Sequence, residues 1–188
     1  DVSGHGNDAV LRGASRVQGR QGSGLYFGAD SPGLEIADAP ELDLYDEVTI
    51  SYWIKLDQDT GEKFRWPVAK GSAPPSRNYA SYLTNNDSTQ PRFSASLHGN
   101  PAPNRDGGPG VDLTPGRWHH IAFCYSAPDD LLRSYVDGRL SAYQPFDGDG
   151  MMTNKYPLVI GRQCRAVLDD VAIYPRALTE AEIAELAQ

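Results

Sequence analysis

The segment VTISYWIKL, residues 48–56, decides the architecture. In an extended chain, neighbouring side chains point to opposite faces. Val48, Ile50, Tyr52 and Ile54 share one face, and Thr49, Ser51, Trp53 and Lys55 share the other. Bulk on both sides suits a central strand that is covered on each face. Working outward, GLYF (24–27), GLEI (33–36), WPVAK (66–70), YASYLT (79–84) and RFSASLH (92–98) read as further strands. WHHIAFCYS (118–126), LVIG (158–161) and VLDDVAIY (167–174) continue the series. LRSYVDGRLSAY (132–143) reads as a hairpin turning at Asp137-Gly138, because such a turn needs positive φ at both central positions. Nineteen glycines, 14 prolines and 10 tyrosines punctuate these runs, as in many short strands joined by turns rather than a helical bundle.

One helix is expected, at the C-terminus. Thr179 is a good N-cap, Glu182 three residues on completes a capping box, and Leu178 and Ile183 fall at staple positions. Residues 99–112 form the longest loop, the kind of segment in which function often sits on a rigid β scaffold. No repeat or internal boundary is evident, so the expectation is one domain over residues 1–188, an all-β antiparallel sandwich of two sheets with a short C-terminal helix.

The formal charge of −8 opposes nucleic-acid binding, since phosphates would repel the chain. No apolar run approaches a membrane span, and no charged-then-apolar leader is visible. Cys124 and Cys164 read equally as one disulfide or as two buried thiols. ELDLYDE (41–47) has alternating acids, but the register that would align three carboxylates for glycoside cleavage places Tyr45 or Asp46 where the third acid is needed. It reads instead as a solvated turn. His119 and His120 point to opposite faces and cannot share one ion, so both read as structural. No nucleophile elbow, phosphate loop or HExxH is present, and no enzymatic activity is expected.

Blocks along nearly the whole chain carry a family likeness. DVSGHGNDAVLRGA opens it, followed by LYFGADSPGLEIADAPELDLYDEVTISYWIKLD, GRWHHIAFCYS, SYVDGRL, LVIG and LDDVAIYPRALTEAEI. In this order they resemble laminin-G-like, concanavalin A-like jelly-roll domains. The resemblance implies a jelly roll and, often in such domains, a structural calcium between the first turn and the last strand. Residue by residue, that role falls on Asp1, Asn7, Asp169 and Asp170, with carbonyls near His5. Calcium takes six to eight oxygens, which such a turn supplies. Strict alternation puts Asp169 on the face of Val171 and Ile173, an apolar face where a carboxylate needs neutralising. Calcium is one account; backbone N–H donors, or an arginine such as Arg12 or Arg162, are the other.

Sugar sites pair aromatic platforms with planar polar side chains. The middle of the chain holds both, and the candidate ligand-binding residues are Trp66, Arg77, Tyr79, Tyr82, Arg92, His98, Asn100 and Arg105. The aromatics read alternatively as core, one by one. The expected function is a noncatalytic carbohydrate-binding module for a polysaccharide or oligosaccharide. It would be extracellular or on the cell surface, tethered to a catalytic or surface domain. Clustered arginines suggest an anionic glycan. The alternative is an adhesion or protein-interaction module.

Overall fold

The computed structural model describes residues 1–59, 63–71, 76–84, 88–98 and 105–188. Two antiparallel sheets pack face to face. In spatial order the seven-stranded sheet contains β1 (Ala14–Gln18), β2 (Ser23–Phe27), β13 (Ala166–Tyr174), β4 (Glu47–Leu56), β9 (Trp118–Ser126), β10 (Leu131–Val136) and β11 (Arg139–Pro145). The six-stranded sheet contains β3 (Leu34–Ile36), β12 (Leu158–Arg162), β5 (Arg65–Lys70), β6 (Tyr79–Leu83), β7 (Pro91–Ala95) and β8 (Arg105–Gly107). β1 and β8 were not expected from alternation: ASRVQ is mostly exposed and polar, and RDG has no apolar residue. No helix among the described residues is long and apolar enough to cross a membrane.

β4 lies between β13 and β9, and its two faces have separate coverings. Val48, Ile50, Tyr52 and Ile54 enter the core between the sheets, where the Tyr52 hydroxyl meets Ser81 Oγ at 2.7 Å. On the outer face, helix α1 (Glu180–Leu186) lays Ile183 and the preceding Leu178 over Ala122, Cys124 and Tyr135. The capping box forms: Thr179 Oγ1 accepts from the Glu182 N–H, and the Glu182 carboxylate accepts from the Thr179 N–H. The hairpin also forms as read, with Asp137 and Gly138 at φ 51° and 75°. Cys164 lies in the core and Cys124 beneath α1, on opposite sides of one sheet, so they remain free thiols.

The two histidines have structural partners. His119 Nδ1 lies 3.0 Å from an Asp137 carboxylate oxygen, while its Nε2 accepts the Thr114 N–H. His120 is 1% exposed and bonds Ser51 Oγ through Nε2 at 2.9 Å. Burial, partly opposed by Asp137, pushes its pKa down to about 4. The unfolded chain, with an ordinary value of 6.5, then binds this proton more readily than the folded one. The contribution to stability is complete above pH 6.5 and is lost as pH falls towards 4, about 3 kcal/mol over that window. Urea unfolding of wild type and His120→Gln across pH 7 to 4 should show that slope only in wild type.

Asp169 does not face the core. β13 carries a bulge between Asp169 and Ala172, with Asp170 at φ 46°. The extra residue breaks the two-residue period: Asp169 pairs with outward-facing Trp53, while Ile173 pairs with core Ile50. The carboxylate is 8% exposed because the β1–β2 turn folds over it. Gly19 is required there, since a Cβ would come within 2.3 Å of Asp169 Oδ2.

Candidate functional site

The outward face of the six-stranded sheet gathers the aromatic and cationic residues of the middle of the chain. A bulge at Trp66-Pro67 lets Arg65 and Val68 both turn inward and leaves Trp66 outside. Proline suits this position because no ladder N–H is needed there. Across the sheet, Trp66 pairs with Arg162 of β12, and Tyr82 of β6 pairs with Arg92 of β7. The Trp66 and Tyr82 rings lie 5.3 Å apart, and Phe64 packs 5.9 Å from Trp66 and 6.0 Å from Tyr82. Guanidinium groups of Arg77 and Arg162 lie over the Trp66 ring at 5.0 and 5.5 Å.

Hydrogen bonds fix this surface. Arg77 Nη1 donates to Ser94 Oγ at 2.6 Å, Arg92 Nε to the Tyr82 hydroxyl at 3.2 Å, and that hydroxyl to Asp106 Oδ1 at 2.8 Å. Burial and then the Asp106 charge push the Tyr82 pKa up to about 12, so the phenol stays a neutral donor. Phe64 is the most exposed of the three rings, at 42% against 7% for Tyr82. The arrangement presents apolar ring surface edged by guanidinium donors. Among the described residues it offers one carboxylate, Asp106, where glycoside cleavage uses two.

The candidate residues divide. Trp66, Arg77, Tyr82 and Arg92 come together. Tyr79 does not: it is fully buried in the core and donates its hydroxyl to the Leu42 carbonyl at 3.1 Å. Three positions separate it from Tyr82, an odd number, so alternation itself puts the two rings on opposite faces. His98 is exposed but lies beyond the far end of β7, its ring 5.5 Å from Tyr45. Six residues from Arg92, it is roughly 20 Å away along the strand direction. Arg105 pairs with Ala95 on the other face of β8 from Asp106, 3.7 Å from the Asp147 carboxylate. Asn100 lies outside the described residues, as do Asn85, Asn86 and Asn104. Phe64, Asp106 and Arg162 complete the surface and were not among the candidates. Arg162 serves Trp66 rather than Asp169.

ELDLYDE is not a solvated turn throughout. Pro40–Leu42 form a 3-10 turn, and Asp43 reaches 3.2 Å from the buried Lys70 ammonium and 2.9 Å from Lys155. Asp38 lies 2.6 Å from the same Lys70 Nζ.

The four residues read as calcium ligands do not form one donor cluster. Asp1 binds within its own turn, accepting from the Ser3 N–H and hydroxyl and from the Asn7 N–H. Asp169 Oδ2 accepts the Arg20 and Gln21 N–H groups at 2.8 and 3.2 Å, and Oδ1 accepts the Asp170 N–H at 3.1 Å. Among the described residues, no group of three or more His, Cys, Asp or Glu side chains is placed to hold a metal. Asp169 is thus satisfied by backbone donors, the metal-free account, and these donors oppose a cation at the same oxygens. As arranged, the set does not fit calcium.

Residues 27–184 match the family model described as the concanavalin A-like lectin/glucanases superfamily. The chain belongs to that superfamily. Solved structures of similar shape include binding domains. The binding domain of Paraclostridial Mosquitocidal Protein 1 superposes with a TM-score of 0.79 at 17% identity, covering 100% of this chain and 48% of that one. Domain 4 of AbnA, a GH43 extracellular arabinanase from Geobacillus stearothermophilus solved with arabinotriose, gives 0.64 at 18%, covering 93% and 81%. The botulinum neurotoxin serotype D ligand binding domain in complex with N-acetylneuraminic acid gives 0.71 at 13%, covering 97% and 46%. The chain therefore spans about half the length of the first and third of these. No curated protein sequence matches it. For this superfamily member the two-sheet jelly roll is the fold.

Proposed function

We propose that this domain is a noncatalytic carbohydrate-binding module whose ligand lies across the outward face of the six-stranded sheet. The observation that carries the reading is the Phe64–Trp66–Tyr82 cluster bordered by Arg77, Arg92 and Arg162. Aromatic faces stack on the C–H face of a pyranose or furanose, and guanidinium N–H groups donate to its oxygens. The saccharide ligands of two similar domains, arabinotriose and N-acetylneuraminic acid, support the class of ligand. Those domains are also parts of larger proteins, which supports a role in holding a tethered partner domain on a polysaccharide, outside the cell or at its surface.

The test is retention in affinity gels cast with a panel of neutral and acidic polysaccharides. Retention by at least one is expected, with no shortening of the polymer. The Phe64→Ala/Trp66→Ala double variant should lose about five- to thirtyfold in affinity, as for one or two stacked rings of about 1–2 kcal/mol together. Retention unchanged in that variant would place binding elsewhere. A failure of every polysaccharide to retard the domain would reject the reading.

A further inference from the structure

The same face carries a chemical bias, and the inference from it rests on the reading above. Its central row runs Arg162, Trp66, Tyr82, Arg92 over four adjacent strands. At the usual strand spacing, the two outer Cα atoms stand roughly 14 Å apart. A guanidinium therefore stands at each end of an aromatic centre.

Neither terminal arginine makes an ion pair with a described carboxylate, although the chain has 25 acids for 17 bases. Arg162 contacts the Trp66 ring through its charge at 5.5 Å and makes no hydrogen bond to a described group. Toward the described residues Arg92 commits only Nε, to the Tyr82 hydroxyl, which leaves both terminal nitrogens of its fork. The nearby acid, Asp106, accepts the Tyr82 hydroxyl rather than Arg92. A guanidinium held edge-free in this way matches a planar carboxylate or a sulfate better than a neutral hydroxyl. Repulsion from the rest of an acidic chain disfavours a polyphosphate such as nucleic acid.

We propose that this row selects acidic saccharides, with the aromatic centre taking a sugar ring and Arg162 and Arg92 taking its carboxylate or sulfate. The probes are polygalacturonate with its methyl ester, and dextran sulfate with dextran, in affinity gels at low and high salt. The expected result is at least tenfold tighter binding to one acidic polymer than to its neutral counterpart. Arg162→Gln and Arg92→Gln should each reduce that preference severalfold while the melting temperature stays unchanged. Preference for polygalacturonate identifies the carboxylate as the source, and for dextran sulfate the sulfate. Equal binding of charged and neutral polymers, or variants that keep the preference, would overturn the acidic selectivity and leave the carbohydrate reading standing. Capture of an acidic protein or of DNA, with no polysaccharide bound, would overturn both.

Discussion

Replacing Lys70 by methionine should lower the melting temperature by about 10 °C, equivalent to about 3–4 kcal/mol for a domain of this size. The Lys70 side chain is fully buried and its ammonium is surrounded by oxygen. Asp38 lies at 2.6 Å, Asp43 at 3.2 Å, and the carbonyls of Tyr156 and Asn154 at 3.0 and 3.4 Å. Removing the cation leaves two largely buried carboxylates facing each other, with exposed Lys155 as their one other cation among the described residues. The loss exceeds that of an exposed ion pair, because water does not screen the charges and methionine restores none of the hydrogen bonds. It should persist in 1 M NaCl, and adding Asp43→Asn should recover part of it. Thermal unfolding of the three proteins at both salt concentrations is the measurement. A fall under 2 °C for Lys70→Met would mean that the cluster adds little.

Asp169→Ala is the second large effect, with an expected loss of about 3 kcal/mol. Three backbone N–H groups would lose a charged acceptor at once. The β1–β2 turn, which places the Arg20 guanidinium 4.8 Å over Trp53, would lose its anchor. Asp169→Asn keeps one carbonyl acceptor and should lie between wild type and alanine. Because the acceptor serves N–H donors, excess EDTA should leave the wild-type melting temperature unchanged. A drop of several degrees on chelation would require a metal near this turn.

These residues also mark how far the sequence could be read. Alternation in VTISYWIKL, the Asp137-Gly138 turn and the Thr179–Glu182 cap were legible because each is a local rule with a local cause. The orientation of Asp169 was not, because a single bulge reverses a two-residue count and aspartate tolerates the positive φ without announcing it. Lys70 gave no sign of burial, since its partners lie more than two dozen residues away in each direction. At the candidate site, Trp66, Tyr82 and Arg92 could be found by composition and face. Arg162 could not, because it joins them only through the register of β12 on β5. Tyr79 was separable from Tyr82 by counting alone.

The placement of the two thiols has one more consequence. Cys124 lies under the terminal helix and Cys164 between the sheets, and burial pushes both thiols up, Cys164 to about 12. With an intact sheet separating them and little thiolate on either, the domain neither needs an oxidant to mature nor loses strength to a reductant. Its endurance is set by packing and buried charge, and dithiothreitol should leave it untouched.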